Sequence, residues 1–590
     1  MKNFSIEDAE KVNASLPRQF FNKWVIVGFF LAISLVNVLA FARYDWLFGG
    51  QDLQFHLQRI NELYQNVMRF NLFPVLGTFS FNQTGSAVMA MYPKLPLYGY
   101  VLMRMIFRQP ILSYYMGNAM MTFAGLVVSY YSFLSIKKNA KVTAMLFSLV
   151  YTLSALNVSY QYLMADIGIV ATIVFLPMVF AGLYHWIMNG RYGMLTCGVT
   201  VVALSHVLSF ILLIFTLIVF TLINWTKLDD EKCLSLAKAI GLTTLLTSTF
   251  WLPALVFSTH FKISVPQVFQ LNGINLVEYT GAALSNNVSY GFTLVALLGF
   301  ISGTIGYRIL DSGVKQIYWV SLGYWLISSR LFPWHLLQNT PLKMIQFPWR
   351  LMIFPQLGFS LIFCLAFVYF LSHVSSQRLI RLGLLGMGMI ALVFSIDAQR
   401  KIISFEIGAP EITSSNLMGS IPYRDGRAWY KVTNRYEYDN VMEHIANYDY
   451  YPNASTSKFD EIANHHVVFD KTNRVDAKTI MGIPDGSEIS FTLPSAANKV
   501  VLPMVLYGKN YHVSLDSRRV QARLDAHNQL VIHGLTKGSH VVRVAYKGLL
   551  VQLLGIALTL LGMALATRRK IVLVFGKRNG SADEPITASK

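Results

Sequence analysis

Long apolar runs dominate the chain. Residues 24–42, 207–225 and 351–371 contain no charged side chain, and each run is close to the ~20 residues that cross ~30 Å of hydrocarbon as a helix. We therefore predict a polytopic α-helical membrane protein with about twelve spans. The predicted spans are 24–42, one within 94–135, 142–158, 167–188, 194–206, 207–226, 238–258, 292–310, 316–334, 345–371, 381–397 and 548–567.

Two stretches leave the number of crossings open. Residues 94–135 fit two crossings, or one crossing after an amphipathic lead that contains Arg104 and Arg108. One crossing is favoured because it places the lysine cluster at 137–141, and every later basic loop, in the cytoplasm. The pair at 194–226 could instead be one long kinked helix, which would reverse the sidedness of the flanking loops.

The basic residues before the first span predict its orientation. Lys11, Lys23 and two other basic residues precede it, so the N-terminus is expected in the cytoplasm. No small-residue cleavage site follows the span, which indicates a retained signal-anchor. The predicted divisions are a cytoplasmic tail (1–22), a transmembrane domain (23–397) with its first external loop at 43–93, an extracytoplasmic domain (398–547), a last span (548–567) and a cytoplasmic tail (568–590).

Residues 398–547 have a different pattern. Apolar and polar residues alternate in runs such as 499–502 and 540–546, and turn signals such as Pro484-Asp485-Gly486 separate them. This pattern predicts a mostly-β domain, either a small sandwich or two subdomains.

The first external loop combines an apolar and an ionisable helix face. Asp52, His56 and Arg59 are spaced i, i+4 and i+7, and the opposite side is apolar from Leu53 to Val67. Beside a membrane span, such a helix is expected to lie in the interface plane with its polar side facing a water-filled space. A merely solvated polar face is the alternative. The following segment, 73–96, is rich in aromatics, Gly and Pro and predicts an irregular surface loop.

Composition narrows the class of protein. The 590 residues are 13% charged, compared with roughly 25% in soluble proteins. The net charge of +19 fits basic loops between spans better than a nucleic-acid surface. The three cysteines, Cys197, Cys233 and Cys364, lie outside the long polar segments, so the exported part needs no disulfide and cysteine-bound metal is not expected.

Further ionisable residues fall at the predicted external face, and each is a site hypothesis because charge at membrane depth is costly. Each also has a structural explanation. Asp166 could cap the next helix, His206 could be a packing histidine, and Arg350 could extend to lipid headgroups. Arg330 and His335 lie near the outer ends of two later spans.

Four short segments carry a resemblance to a known family. The run from Gly50 to Ile60 (GQDLQFHLQRI), then Phe73-Pro74 and the run 91–96 (MYPKLP), resembles the first loop of a bacterial membrane family called "6-pyruvoyl-tetrahydropterin synthase-related", akin to YfhO-type proteins. The run 346–350 (QFPWR) is similar to its later "PWR" motif. No zinc-histidine cluster of a soluble pterin synthase is found, so the pterin in the family name is not carried over.

The resemblance implies the GT-C glycosyltransferase superfamily. It implies a catalytic acid in the first external loop, here Asp52, a second acid in the next, here Asp166, and a polyprenyl-phosphate-linked sugar as donor. Asp52 stands without the acidic neighbour common in that superfamily, which leaves dependence on a divalent cation, Mg²⁺ or Mn²⁺, open. Asp52 and His56 are the candidate ligands.

The chemistry of sugar transfer suggests a role for each of these candidate residues. Sugar transfer from a lipid phosphate needs a base for the acceptor hydroxyl, which we assign to Asp52. The leaving phosphate needs a cation, for which Arg350 is the first candidate and Arg59 the second. His56 could orient Asp52 or bind the acceptor, and His206 is a further substrate-binding candidate.

We therefore predict a GT-C-type inverting glycosyltransferase of the bacterial plasma membrane. Its partners would be a polyprenyl-phosphate-linked sugar, a cell-envelope glycan acceptor and membrane lipids, with no nucleic acid. A lipid-linked glycan transporter or flippase, or a non-catalytic envelope-assembly protein, is the alternative.

Overall fold

The computed structural model of the chain describes residues 6–264, 269–288, 291–412, 423–424, 427–470, 472–548 and 550–575. The predicted tails and the predicted extracytoplasmic domain therefore lie partly outside the described residues. The first eleven helices are α1 (Ile6–Asn13), α2 (Lys23–Ala42), α3 (Leu53–Val67), α4 (Val88–Met91), α5 (Leu97–Phe107), α6 (Pro110–Ile136), α7 (Lys141–Thr152), α8 (Ala155–Val158), α9 (Ile167–Asn189), α10 (Gly193–Ala203) and α11 (Val207–Ile223).

The later helices include the last span and three helices beside the sheets. They are α12 (Asp230–Leu246), α13 (Ser248–His260), α14 (Leu276–Leu284), α15 (Leu294–Ile305), α16 (Ser312–Ser328), α17 (Ile353–Ser372), α18 (Gln377–Glu406), α19 (Arg435–His444), α20 (Asn453–Thr456), α21 (Phe459–Ala463) and α22 (Leu550–Phe575).

The helical part confirms a polytopic membrane protein. Seven helices among the described residues are long and apolar enough to cross a membrane, or up to eight if α12 and α13, which meet at a 70° bend, form one span. The other segments predicted to cross hold shorter helices, α10, α11, α15 and α16. Twelve crossings therefore remains a prediction. Within 94–135 a short helix, α5, precedes one helix of spanning length, α6.

The membrane domain is built around a buried centre. The helix pair α7–α8 and its extension to Leu163 are wholly covered by protein, whereas α18 and α22 are mostly uncovered. Small residues allow close helix contacts in this domain. A Cβ at Gly299 would lie 1.9 Å from the Phe359 carbonyl oxygen, so α15 and α17 approach each other where only glycine fits.

Fourteen strands occur in the described residues, and ten of them form a β-sandwich beyond the membrane domain. The two five-stranded antiparallel sheets have the orders β11-β10-β14-β8-β7 and β12-β13-β9-β5-β6, and they share one hydrophobic core. The strands are β1 (Leu47–Phe48), β2 (Tyr423–Arg424), β3 (Arg427–Ala428), β4 (Lys431–Val432), β5 (His466–Phe469), β6 (Asn473–Asp476), β7 (Thr479–Ile483), β8 (Gly486–Leu493), β9 (Ala497–Val505), β10 (Tyr511–Leu515), β11 (Arg518–Val520), β12 (Arg523–Leu524), β13 (Gln529–Leu535) and β14 (Gly538–Tyr546).

The alternating pattern explains the sandwich. Burial alternates along β8 because every second side chain points into the core between the sheets. The register is fixed by long pairings such as β14 with β8, where eight residues of each strand face one another. The mostly-β prediction is therefore confirmed for the strands from 466 to 546, while helices α19, α20 and α21 occupy much of the stretch before them.

The first external loop differs from its prediction. Helix α3 is covered on both faces, and His56 and Arg59 are each only 1% exposed. The segment 74–91 is irregular as predicted, but it is almost entirely buried and not a surface loop. The amphipathic pattern of α3 correctly indicated polar surroundings for its ionisable face. Packed protein, and not water, provides these surroundings.

The β-sandwich is what covers this loop. The Asp485 carboxylate, in the turn between β7 and β8, accepts hydrogen bonds from the backbone N–H groups of Val75 (2.7 Å) and Leu76 (2.8 Å). The Tyr507 hydroxyl accepts one from the Ala87 N–H at 2.8 Å. The backbone N–H of Val505 donates to the Thr84 carbonyl at 2.9 Å. The loop is therefore enclosed between the sandwich and the spans.

Candidate active site

Asp52 is held against the loop that carries Asp166. It is the N-cap residue of α3, and its backbone N–H donates to the Met164 carbonyl at 2.8 Å. Gly50 permits this close approach, because a Cβ there would lie 2.9 Å from the Cβ of Ala165. The two predicted acids, far apart in sequence, therefore lie at one edge of the membrane domain.

Asp166 is bound as a helix cap, as one of its two interpretations predicts. Its Oδ1 atom accepts the Ile169 N–H at 3.0 Å at the start of α9. Asp52 has the same position in α3 but makes no capping hydrogen bond. Asp52 therefore keeps its carboxylate oxygens for another partner, whereas Asp166 has a fixed orientation.

Two imidazoles face Asp166. The Nε2 atom of His56 lies 3.6 Å from Oδ1, and the Nε2 atom of His206 lies 3.8 Å from Oδ2. The Nδ1 atom of His206 accepts the Ser209 N–H at 3.1 Å, and the Nδ1 atom of His56 lies 3.3 Å from an N–H donor of Arg59. Since both Nδ1 atoms face donors, the neutral rings carry their proton on Nε2 and direct it at the carboxylate.

Burial sets the charge of these groups. It lowers the pKa of His56, and it lowers the pKa of His206 to about 4, so both rings are neutral at pH 7. Burial also acts to raise the pKa of Asp166, but His206, His56 and the Ile169 N–H hold it below its ordinary value. Burial and the neighbouring Asp166 raise the pKa of Asp52 to about 7, although Arg350 opposes them.

Two guanidinium groups supply positive charge. Burial lowers the pKa of Arg59 only to about 10, so Arg59 remains a cation. Its Nη2 atom donates to the carbonyls of Pro93 and Tyr92, the latter at 3.4 Å. Arg350 donates to the Gln346 side chain at 2.8 Å. Within the described part of the chain, the buried Nε atoms of both arginines find no hydrogen-bond acceptor, which leaves each with an N–H for an anion.

Two tyrosines complete the site, and the sequence reasoning assigned a role to neither. The Tyr92 ring stacks under the Arg59 guanidinium at 4.1 Å and contacts the rings of His56 and His206 at 5.9 Å each. Tyr92 lies in the MYPKLP motif, which was a usable signal. Tyr450 is partly buried, and Asp52 and Arg59 are close enough to influence the pKa of its hydroxyl, which burial raises. Nothing in its local sequence indicates this position.

The structure therefore places all six predicted site residues in one cluster, which we call the acid–arginine site and define by Asp52, His56, Arg59, Asp166, His206 and Arg350. Arg330 lies elsewhere. It is exposed and 4.0 Å from Glu278. His335 is also exposed.

The site does not fit a divalent cation bound by its histidines. A ligating imidazole offers a bare nitrogen to the metal. Here both Nδ1 atoms face donors, and both Nε2 atoms carry protons that point at Asp166. No group of three or more His, Cys, Asp or Glu residues among those described is arranged to hold a metal ion. The predicted Asp52–His56 metal pair is therefore not supported by this hydrogen bonding.

Comparisons with known proteins give remote similarities. No family model and no curated protein matches the chain, so membership of the predicted pterin-synthase-related family stays a prediction. Two solved structures of the arabinofuranosyltransferase AftD from Mycobacteria are similar at 12% and 14% identity, with TM-scores of 0.43 and 0.41, over 68% and 65% of this chain. This chain spans about a quarter of their length, 27% and 28%. ArnT from Cupriavidus metallidurans, bound to undecaprenyl phosphate, is similar at 12% identity with a TM-score of 0.33, over 63% of this chain and 75% of that one.

Proposed function

We propose that this membrane protein is a GT-C-type inverting glycosyltransferase. It would transfer a sugar from a polyprenyl-phosphate donor to a cell-envelope glycan or polymer at the external face of a bacterial plasma membrane, with both termini in the cytoplasm. One observation carries the proposal: the acid–arginine site holds two carboxylates whose surroundings move their pKa values in opposite directions, beside two arginines with unpartnered N–H groups.

Asp52 is suited to act as the general base. Its carboxylate makes no capping hydrogen bond, and its pKa of about 7 matches a base that works near neutral pH. It would take the proton of the acceptor hydroxyl while that oxygen forms a bond to the anomeric carbon. The bond from that carbon to the phosphate oxygen breaks on the opposite face, and its electron pair leaves with the polyprenyl phosphate.

The arginines are suited to the phosphate. Arg350 is close enough to Asp52 to lower its pKa, so a phosphate bound by Arg350 would lie near the base. Its unpartnered Nε offers a charge-assisted hydrogen bond to the leaving oxygens. Arg59 has three of its five N–H donors directed at carbonyls and His56, so its contribution is positive charge and two remaining N–H groups.

Asp166 and the two imidazoles would act as a preorganised frame. Both imidazoles face this carboxylate, and both rings contact the ring of Tyr92. The negative charge of Asp166 also raises the pKa of Asp52. We assign no step to a metal ion, because the histidine protons occupy the positions that metal bonds would need.

The test is a glycan profile of the cell surface. A deletion strain is complemented with the wild-type protein, with Asp52→Asn, or with Asp45→Asn, an exposed aspartate before the same helix. We expect one sugar decoration to disappear on deletion and to return with wild type and Asp45→Asn only, at equal expression. Full restoration by Asp52→Asn would overturn the mechanism, and flipping of a labelled lipid-linked sugar in liposomes without glycan product would replace it with transport.

A further inference from the structure

An open cleft of about 590 Å³ lies where the β-sandwich side of the chain meets the end of α13. We propose that this cleft binds an uncharged saccharide, the acceptor glycan of the transfer proposed above, on which this inference rests. Aromatic rings and hydrogen-bonding side chains line it together: Tyr448, Phe459, Asn453, Thr456, Ser457 and Asp460.

The aromatic rings of the cleft are partly exposed to solvent, and their packing fixes their orientation. Tyr448 is 48% exposed although it packs edge-on against Phe459, with ring centroids 5.5 Å apart. Phe459 in turn contacts the buried ring of Tyr451 at 6.4 Å. A pyranose or furanose ring has an apolar C–H face that packs on such a ring, and binding would cover a surface whose orientation is already fixed.

The polar groups suit sugar hydroxyls. The side chains of Asn453 and Asp460 are exposed at the cleft, and they offer an amide and a carboxylate to hydroxyl groups that both donate and accept. Few precisely placed polar groups beside aromatic surface are typical of small-molecule sites.

Charge selects against an anionic polymer. Among the described residues that line the cleft, Asp460 is the only one with an acidic or basic side chain. The nearby Lys458 ammonium is directed at Glu461, 3.1 Å away. A uronate or phosphate in the cleft would therefore meet the Asp460 carboxylate, which is repulsive.

The cleft and the acid–arginine site share one loop. Tyr448 lines the cleft, whereas Tyr450 lies within electrostatic reach of Asp52 and Arg59. Two residues of extended chain span at most about 7 Å between their Cα atoms, so one short segment carries both a side chain of the cleft and a side chain beside the site. On the proposed function, a saccharide bound along Tyr448 would direct its end toward Asp52, the group that needs an acceptor hydroxyl.

Hydrogen bonds fix this loop in place. The Tyr450 N–H donates to the Ser264 carbonyl at 3.0 Å, and the Ser264 N–H donates to the Tyr451 carbonyl at 2.7 Å. The Tyr507 hydroxyl donates to the Tyr450 carbonyl at 2.7 Å, and the Ser86 hydroxyl donates to the Asp449 carbonyl at 3.2 Å. The sandwich and the first external loop therefore both hold the wall between cleft and site.

The experiment measures saccharide binding without turnover. The full chain in lipid nanodiscs is applied to an array of bacterial oligosaccharides, neutral and anionic, as wild type, Tyr448→Ala, Tyr448→Phe and Tyr436→Ala. Tyr436, 64% exposed on α19, is the matched control. We expect selective binding of neutral glycans, a loss of about tenfold or more in affinity with Tyr448→Ala, equivalent to about 1.4 kcal/mol, and little change with Tyr448→Phe or Tyr436→Ala.

Two results would overturn the inference: binding of no neutral glycan, or equal binding by wild type and Tyr448→Ala. The Asp52→Asn variant distinguishes a failure of this inference from a failure of the proposed function, because that variant leaves the cleft intact. If Asp52→Asn restores the cell-surface glycan while Tyr448→Ala still loses array binding, the transfer mechanism fails and the saccharide cleft stands.

Discussion

Two carboxylates of the first external loop, the buried Glu62 and the partly buried Asp52, differ in their hydrogen bonding. Glu62 on α3 accepts the backbone N–H groups of Thr78 (2.9 Å), Phe79 (2.8 Å) and Ser80 (2.9 Å) on a single oxygen. Its other oxygen accepts the Asn66 amide at 2.8 Å. Three turns of helix away, Asp52 makes no capping bond, and the two histidines approach Asp166 only to 3.6 and 3.8 Å.

The comparison separates a structural carboxylate from a chemical one. Burying a charged group without partners is costly, so a carboxylate saturated with N–H donors contributes to the fold of the loop it binds. A carboxylate with few hydrogen bonds lowers the stability of the protein, and the surrounding fold keeps it in place for a role in binding or catalysis. Glu62 therefore orders the loop at 78–80, whereas Asp52 is available to a substrate.

The largest expected effect falls on Asp52. A general base contributes roughly 10²- to 10⁴-fold, so Asp52→Asn should reduce sugar transfer by about that factor, measured as glycan product per protein. The thermal midpoint of Asp52→Asn should stay constant or rise. A carboxyl whose pKa is raised by folding binds more protons in the folded than in the unfolded protein, so the wild-type protein loses stability as the pH rises from about 4 to 7. A lower thermal midpoint of Asp52→Asn with unchanged sugar transfer would show that Asp52 is the structural carboxylate.

Glu62 should behave in the opposite way. Glu62→Ala leaves three buried N–H groups unsatisfied and should lower the free energy of unfolding by about 3 kcal/mol or more. The measurement is the thermal midpoint of the detergent-solubilised protein. The exposed Glu278→Ala is the control, with an expected change within about 0.5 kcal/mol. Transfer per folded Glu62→Ala molecule should remain, and its loss at an unchanged midpoint would place Glu62 in the chemistry.

Arg350 should give a smaller, substrate-directed effect. Arg350→Gln removes a charge-assisted hydrogen bond to phosphate, worth roughly 1.5–3 kcal/mol, and should weaken kcat/KM for the lipid-linked donor by about 10- to 100-fold. Arg330→Gln is the matched control, because Arg330 is exposed and lies outside the acid–arginine site. Equal effects of both substitutions would indicate a general surface charge and not a phosphate site.

The pH profile tests the same site without a substitution. Because the pKa of Asp52 is raised to about 7, the base is protonated below that pH, and kcat/KM should rise about tenfold per pH unit up to about 7 and then level off. The donor phosphate is a diester and does not titrate in this range, so an inflection that moves in Asp52→Glu belongs to this residue. A flat profile between pH 5 and 8 would contradict Asp52 as the base.

The sequence predicts apolar helices and six side chains that the structure brings together, but it does not predict what surrounds those side chains. Uncharged runs identify membrane helices without any tertiary knowledge, and ionisable residues on α3 and at the predicted span ends are few enough to be singled out. Tyr450 and Asp485 escape prediction because their contacts to the first loop join residues about 400 positions apart. The i, i+4, i+7 spacing of α3 likewise cannot distinguish water from a packed polar neighbour, which is why its exposure was predicted wrongly.

The smallest expected effect is that of metal removal. The imidazole nitrogens that could bind a cation either face hydrogen-bond donors or carry protons directed at Asp166, so treatment with EDTA should leave transfer by the purified protein unchanged within error. Added Mg²⁺ or Mn²⁺ after dialysis is the control for trace metal. Loss of activity with EDTA, and its return with one cation, would show that the histidines change tautomer when they bind the metal. In that case His56→Gln should abolish the response to the metal while it preserves the hydrogen bond from Arg59.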